Sequence, residues 1–139
     1  MKIFVYFVGK PNDLHANRIA EDFLRRASHY ARCEMREIRP ARAVIWEKHP
    51  DAVKVMLDPA GKRMDSAAFT SWMARVEMES RDAVFVVGGA DGLPPGWAAR
   101  ADLVLSLSPM TFPHELARAI LTEQIYRAFT TLRGHPYPR

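Results

Sequence analysis

The stretch Leu103–His114, LVLSLSPMTFPH, decides how the chain is read. Leu103-Val104-Leu105 is an apolar run of the kind that forms a buried strand. It breaks into a segment bracketed by Pro109 and Pro113, and helical periodicity resumes at once afterwards. Pro109 has no N–H to give a sheet ladder, and each proline pushes the residue before it, Ser108 and Phe112, out of helical geometry. The expected result is irregular backbone with free N–H and C=O groups, walled by Leu107, Met110 and Phe112, between a strand end and a helix start. Ligands of open α/β sheets bind at such places.

On the amino-terminal side, strand and helix patterns alternate. Lys2–Val8 (KIFVYFV) is β-branched and aromatic throughout and reads as a strand buried on both faces, closed by Gly9-Lys10-Pro11. Asn12 or Asp13 then caps a helix with apolar positions at Leu14, Ile19, Phe23, Leu24 and Ala27. Arg32–Ile38 alternates around Cys33 and Met35 as a second strand, and residues 39–50 (RPARAVIWEKHP) fit a short helix or a packed loop equally. Val53–Leu57 is a third strand, ending in the turn signal Asp58-Pro59-Ala60-Gly61. Asp65 or Ser66 caps a second helix, whose Phe69, Trp72, Met73 and Val76 share one face. Ala83–Val87 (AVFVV) is a fourth buried strand, and Pro94–Ala101 a short helical turn around Trp97.

The fifth strand is Leu103–Leu107, and from Pro113 a long helix carries Leu116, Ile120, Leu121, Ile125 and Phe129. The Glu123–Arg127 pair supports that helix, Gly134 suits its C′ position, and His135-Pro136 prevents continuation. The pattern predicts an α/β fold with a mostly parallel sheet flanked by helices, as one domain over residues 1–139.

Composition narrows the function classes. The chain of 139 residues is 48% hydrophobic and 26% charged, ordinary for a globular protein. Its lone Cys33 excludes an internal disulfide, fits a reducing compartment, and reads as a small buried apolar residue rather than a nucleophile. Ile3–Val8 is too short for a signal peptide or a membrane span, so a soluble, cytoplasmic protein with no membrane partner is expected. The net charge is +4, yet residues 1–63 hold 13 Lys and Arg against 8 Asp and Glu, while residues 64–139 hold 7 against 8. Arginine suits bidentate phosphate contacts, and Arg18, Arg25, Arg26, Arg32, Arg36, Arg39 and Arg42 crowd one third of the chain. They read either as a solvated surface or as a face for RNA.

The remaining motifs are weaker. Gly88-Gly89-Ala90-Asp91-Gly92 follows a buried strand and fits either a close approach to a ligand or a plain turn. It is not a dinucleotide fingerprint and lacks the Lys-Ser/Thr ending of a phosphate loop. Asp91 could act as an acid, but turn composition explains it as well. His15, His29, His49, His114 and His135 lack ligand spacing, so no metal is expected, and no G-x-S-x-G elbow supports a hydrolase. His135-Pro136-Tyr137-Pro138-Arg139 is a stiff, aromatic, basic tail. It reads either as a packed or disordered end, or as a segment docked beside a site.

Together, VFVVGGADGLPPGW (Val84–Trp97), LSLSPMTFPHELARAILTEQIYRAF (Leu105–Phe129) and RGHPYPR (Arg133–Arg139) resemble the RlmH family of ribosomal large-subunit RNA pseudouridine N3-methyltransferases, in the SPOUT superfamily. The resemblance covers essentially the whole chain, including the LDPAGK turn at Leu57–Lys62. It implies a C-terminal trefoil knot, S-adenosylmethionine bound in the knot, a homodimer, and 23S rRNA in the ribosome as substrate. The cofactor contacts it implies are Leu57, Gly88, Leu107, Ser108, Pro109, Met110, Thr111 and Phe112. The catalytic candidates it implies are His135, Tyr137 and Arg139. Resembling tails run H-P-Y-H before Lys or Arg, whereas Pro138 stands at the second histidine in this chain. That departure supports an alternative, a non-catalytic SPOUT protein that binds RNA or the ribosome. The segment Arg39–Asp51 is also shorter than the family usually has.

Overall fold

The computed structural model describes residues 1–137. Five parallel strands form one sheet in the order β2-β1-β4-β3-β5: β1 Lys2–Val8, β2 Arg32–Ile38, β3 Val53–Arg63, β4 Ala83–Val87 and β5 Leu103–Ser106. The helices are α1 Leu14–Ala27, α2 Ile45–Lys48, α3 Ser66–Met78, α4 Trp97–Arg100 and α5 His114–Leu132, with a 3-10 turn at Pro40–Arg42. The α/β class with a parallel sheet flanked by helices is as expected.

The two sheet faces are covered unequally. Ile3, Val5, Val53, Val55 and Phe85 point to one side, where α1, α3 and α5 bring Leu24, Phe69, Trp72, Met73, Leu121, Ile125 and Phe129 against them. On the other side Phe4, Tyr6, Val84 and Val86 meet only short α2 and α4, through Ile45, Trp46 and Trp97. Alternate residues of β1 and β4 thus feed two cores, which is why both strands are apolar without a break.

Local chemistry sets the helix ends. Asp13 caps α1 by accepting from the Ala16 N–H at 3.0 Å, and Asp65 caps α3 by accepting from Ala68 at 2.7 Å. Gly134, at φ 69°, closes α5: its N–H reaches Thr131 O at 3.3 Å and the His135 N–H reaches Thr130 O at 2.9 Å, a Schellman ending. Arg127 bonds Glu123 at 2.8 Å, as the i, i+4 spacing requires.

Five expectations are corrected. β3 does not stop at Leu57: Asp58–Gly61 bulges and the strand resumes, so that Leu57 and Lys62 both face Leu105. Leu107 lies outside β5, and Pro113 is the cap of α5 rather than its first residue. Leu14 and Ile19 are exposed, at 60% and 46%, because α1 buries its alanines Ala16, Ala20 and Ala27 with Leu24, and Leu116 of α5 is 42% exposed. Cys33 is half-buried on the edge strand β2, not enclosed. Residues 39–50, left open between helix and loop, form the 3-10 turn and α2.

Candidate cofactor cleft

Parallel strands end on one edge of the sheet. At that edge the ends of β3, β4 and β5 frame a cleft of about 420 Å³. Leu57, Gly88, Leu107, Ser108, Met110, Thr111 and Phe112 all line it, so residues from three separate stretches of sequence meet there. Pro109 does not line the cleft: it turns the loop, and its neighbours supply the wall. The cleft is further lined by Met56, Asp58, Val87, Leu93, His114 and Ala117, which sequence reasoning did not single out as site residues. Ala117 had a signal, being one turn into the helix that the loop enters. Leu93 had none beyond its place after the glycine turn.

Short-range bonds hold this backbone. Ser106 Oγ donates to Pro59 O at 2.9 Å, tying the β3 bulge to the end of β5. Asp58 Oδ1 accepts from Ala60 N–H at 2.8 Å, and Ser108 Oγ accepts from Met110 N–H at 3.0 Å. Gly92, at φ 74°, lets its N–H reach Gly89 O at 3.0 Å. A Cβ on Gly88 would come within 2.9 Å of the Gly92 carbonyl carbon, so the turn closes only because Gly88 has no side chain.

The start of α5 is locked to the start of α1. Glu115 accepts from the N–H groups of Asn12 at 2.7 Å and Asp13 at 3.1 Å, and from Asn17 Nδ2 at 2.9 Å. Burial works against the charge, but these bonds outweigh it and hold the Glu115 carboxyl below the usual range. One turn on, Arg118 is only 2% exposed, lies 3.5 Å over the Phe7 ring and donates to Asn17 Oδ1. Burial lowers its pKa, with Glu115, Glu21 and Glu37 opposing.

The tail residues lie elsewhere. Tyr137 packs edge-on against Tyr126 with ring centroids 4.7 Å apart, and its hydroxyl donates to Glu123 Oε2 at 2.5 Å. Burial first, then Glu123, pushes this phenol up to about 12. His135 Nδ1 accepts from the Tyr137 N–H at 3.1 Å. Arg139 and Pro138 lie outside the described residues. Tyr137 thus folds back onto the middle of α5, at Glu123, nine residues or about 14 Å beyond the helix start at the cleft. Among the described residues no three His, Cys, Asp or Glu side chains form a metal-binding group, and no helix is long and apolar enough to cross a membrane.

A parallel sheet with a ligand-sized cleft over three adjacent strand ends defines a small-molecule-binding α/β protein. The family described as "Predicted SPOUT methyltransferase" matches residues 1–138. The "Ribosomal RNA large subunit methyltransferase H" of Solibacter usitatus is 68% identical over 139 residues, covering 100% of both chains. That of Gemmatimonas aurantiaca is 36% identical, covering 99% of each. Among solved structures, the SpoU methyltransferase AviRb from Streptomyces viridochromogenes in complex with AdoMet superposes with a TM-score of 0.54 at 11% identity, over 94% of this chain and 61% of that one. The chain belongs to the SPOUT methyltransferases and, within them, to the ribosomal RNA large subunit methyltransferase H family.

Proposed function

We propose that the protein is a cytoplasmic homodimer that transfers a methyl group from S-adenosylmethionine to N3 of a pseudouridine in 23S rRNA, on the assembled ribosome. The cleft carries this reading, in a chain 68% identical to a protein named as an rRNA large-subunit methyltransferase. The residues present fit the cofactor. The volume of about 420 Å³ is ligand-sized, Leu57, Val87, Leu93, Leu107 and Phe112 offer apolar walls to an adenine, and the proline-turned loop offers backbone donors and acceptors. The AviRb complex, on the same fold, contains AdoMet.

When bound, S-adenosylmethionine supplies an electrophilic methyl on a sulfonium, which becomes a neutral thioether as the new N–CH₃ bond forms. The chain's own part is to exclude water from the cleft and align the two reactants. The imide N3–H of the base gives up its proton in the same event. Tyr137 stays a phenol at neutral pH and donates its one hydroxyl proton to Glu123, which fixes its ring. In the neutral His135 ring, Nδ1 accepts the Tyr137 N–H, so Nε2 carries the proton and donates as well. Orientation is thus the role of His135 and Tyr137, with Arg139 as the cationic phosphate anchor, and the N3 proton passes to solvent at the mouth of the cleft. Within one chain Glu123 and Tyr126 hold Tyr137 about 14 Å along α5 from the cleft, which supports a composite site in which each tail serves the partner's cleft.

The test is methyl transfer from labelled S-adenosylmethionine to ribosomes of a strain lacking the modification, with the labelled nucleotide mapped. Label on one pseudouridine of 23S rRNA is expected, and label on another base or none at all contradicts the proposal. Pro138 favours the alternative, an RNA-binding protein without turnover. Cofactor binding with no transfer, restored by Pro138→His, would decide for it.

A further inference from the structure

Arg39, Arg42 and Lys48 are exposed and, among the described residues, have no carboxylate within 4.0 Å, although Asp and Glu are plentiful elsewhere on the surface. With Arg36 they line a groove of about 400 Å³ floored by Tyr6, Ile38 and Ile45. Arg36 is held only loosely by Glu34, at 3.7 Å on an exposed surface, and Glu37 is the sole acid on the groove wall. Cations gathered this way repel one another unless a polyanion joins them.

The place of the groove matters as much as its charge. It lies at the carboxyl ends of β1 and β2, on the same sheet edge as the cleft at the ends of β3, β4 and β5. At ~4.8 Å per strand the two centres are about 12 Å apart along that edge, the rise of roughly three to four nucleotides. The ground between them is continuous: Ile38 and Ile45 of the groove share one apolar cluster with Leu93 of the cleft. Arginine predominates, and its planar fork grips a phosphate with two parallel bonds.

We propose that the groove of Arg36, Arg39, Arg42 and Lys48 binds the phosphate backbone of the RNA strand whose base enters the cleft. This rests on the reading of the protein as an rRNA methyltransferase. The segment Arg39–Lys48 is thereby an RNA-docking element rather than a connector, and its contacts set how the strand lies along the sheet edge.

The experiment compares wild type with Arg39→Ala/Arg42→Ala/Lys48→Ala. A control, Lys2→Ala/Arg32→Ala/Arg81→Ala, removes the same charge from the opposite, amino-terminal edge of the sheet. Ribosome binding is read by co-sedimentation at several salt concentrations, and KM for ribosomes by methyl transfer. The groove variant should bind ribosomes at least tenfold more weakly, with a salt slope shallower by about 2–3. Its kcat and S-adenosylmethionine affinity should stay within twofold, and the control should match wild type. Equal weakening in the control, or an unchanged salt slope in the groove variant, overturns the proposal. A wild-type protein that binds ribosomes but transfers no methyl group contradicts the functional reading instead, and co-sedimentation still judges the groove.

Discussion

A half-buried phenol and a buried guanidinium show how residue chemistry sets what the fold tolerates. Tyr137 is a phenol kept neutral by burial and by its bond to Glu123, with its pKa raised from 10.0 to about 12. A raised folded pKa contributes stability that is fully present below the unfolded value and is lost as pH rises through the folded one. Its contribution should therefore persist to about pH 10 and vanish by about pH 12. Phenolate absorbance during alkaline titration should show late-ionising tyrosine, since burial also raises Tyr6, and Tyr137→Phe should remove one tyrosine's share of it. Arg118 poses the opposite case, a buried guanidinium with no carboxylate within 4.0 Å among the described residues and with Nε unpartnered. Replacing an uncompensated buried cation by an apolar side chain of similar length is often neutral, whereas truncation leaves a cavity. Urea unfolding should place Arg118→Met within ~1 kcal/mol of wild type and Arg118→Ala about 3 kcal/mol below it.

Among the elements, β3 is the one that shapes the cleft. Its bulge brings Gly61 against β5 so closely that a Cβ there would lie 2.6 Å from Val104 O. Gly61→Ala must push backbone away from backbone, so thermal melts should fall by several degrees, about 1–3 kcal/mol of overpacking. Because the bulge also carries Asp58 and Pro59 at the cleft, cofactor affinity should fall with it. This bulge is where sequence reasoning stopped short. Asp58-Pro59-Ala60-Gly61 carries every mark of a terminating turn, and only the pairing of Lys62 with Leu105 reveals that the strand continues. Strands β1 and β4 were legible to the residue because their apolar runs end in glycine, and β2 because Cys33 and Met35 alternate with charged residues. The apolar stripe of α1 was misread at Leu14 and Ile19, since small alanines are what allow it to lie close to α5. The cleft loop was legible from its two prolines. Leu93 and Met56 were not, because nothing in their own chemistry distinguishes a wall from a core.

Across the whole molecule, one sheet edge gathers the cleft and the arginine groove, while Tyr137 docks on Glu123 and Tyr126 midway along α5 and on Arg26 of α1. A composite site follows if each chain supplies the tail for its partner. Mixing a cleft variant, Ala117→Phe, with a chain truncated after Gly134 should then restore about a quarter of wild-type methyl transfer, since half the dimers hold one intact site of two. Mixtures as inactive as either parent, from folded dimers that exchange subunits, would place cleft and tail in the same chain.

The central claim is that the cleft between the ends of β3, β4 and β5 holds S-adenosylmethionine, and calorimetric titration of the folded protein tests it most directly. One site per chain in wild type, lost in Ala117→Phe at unchanged circular dichroism, is the predicted result. No binding by the folded wild-type protein, or an identical isotherm with Phe at position 117, would contradict it.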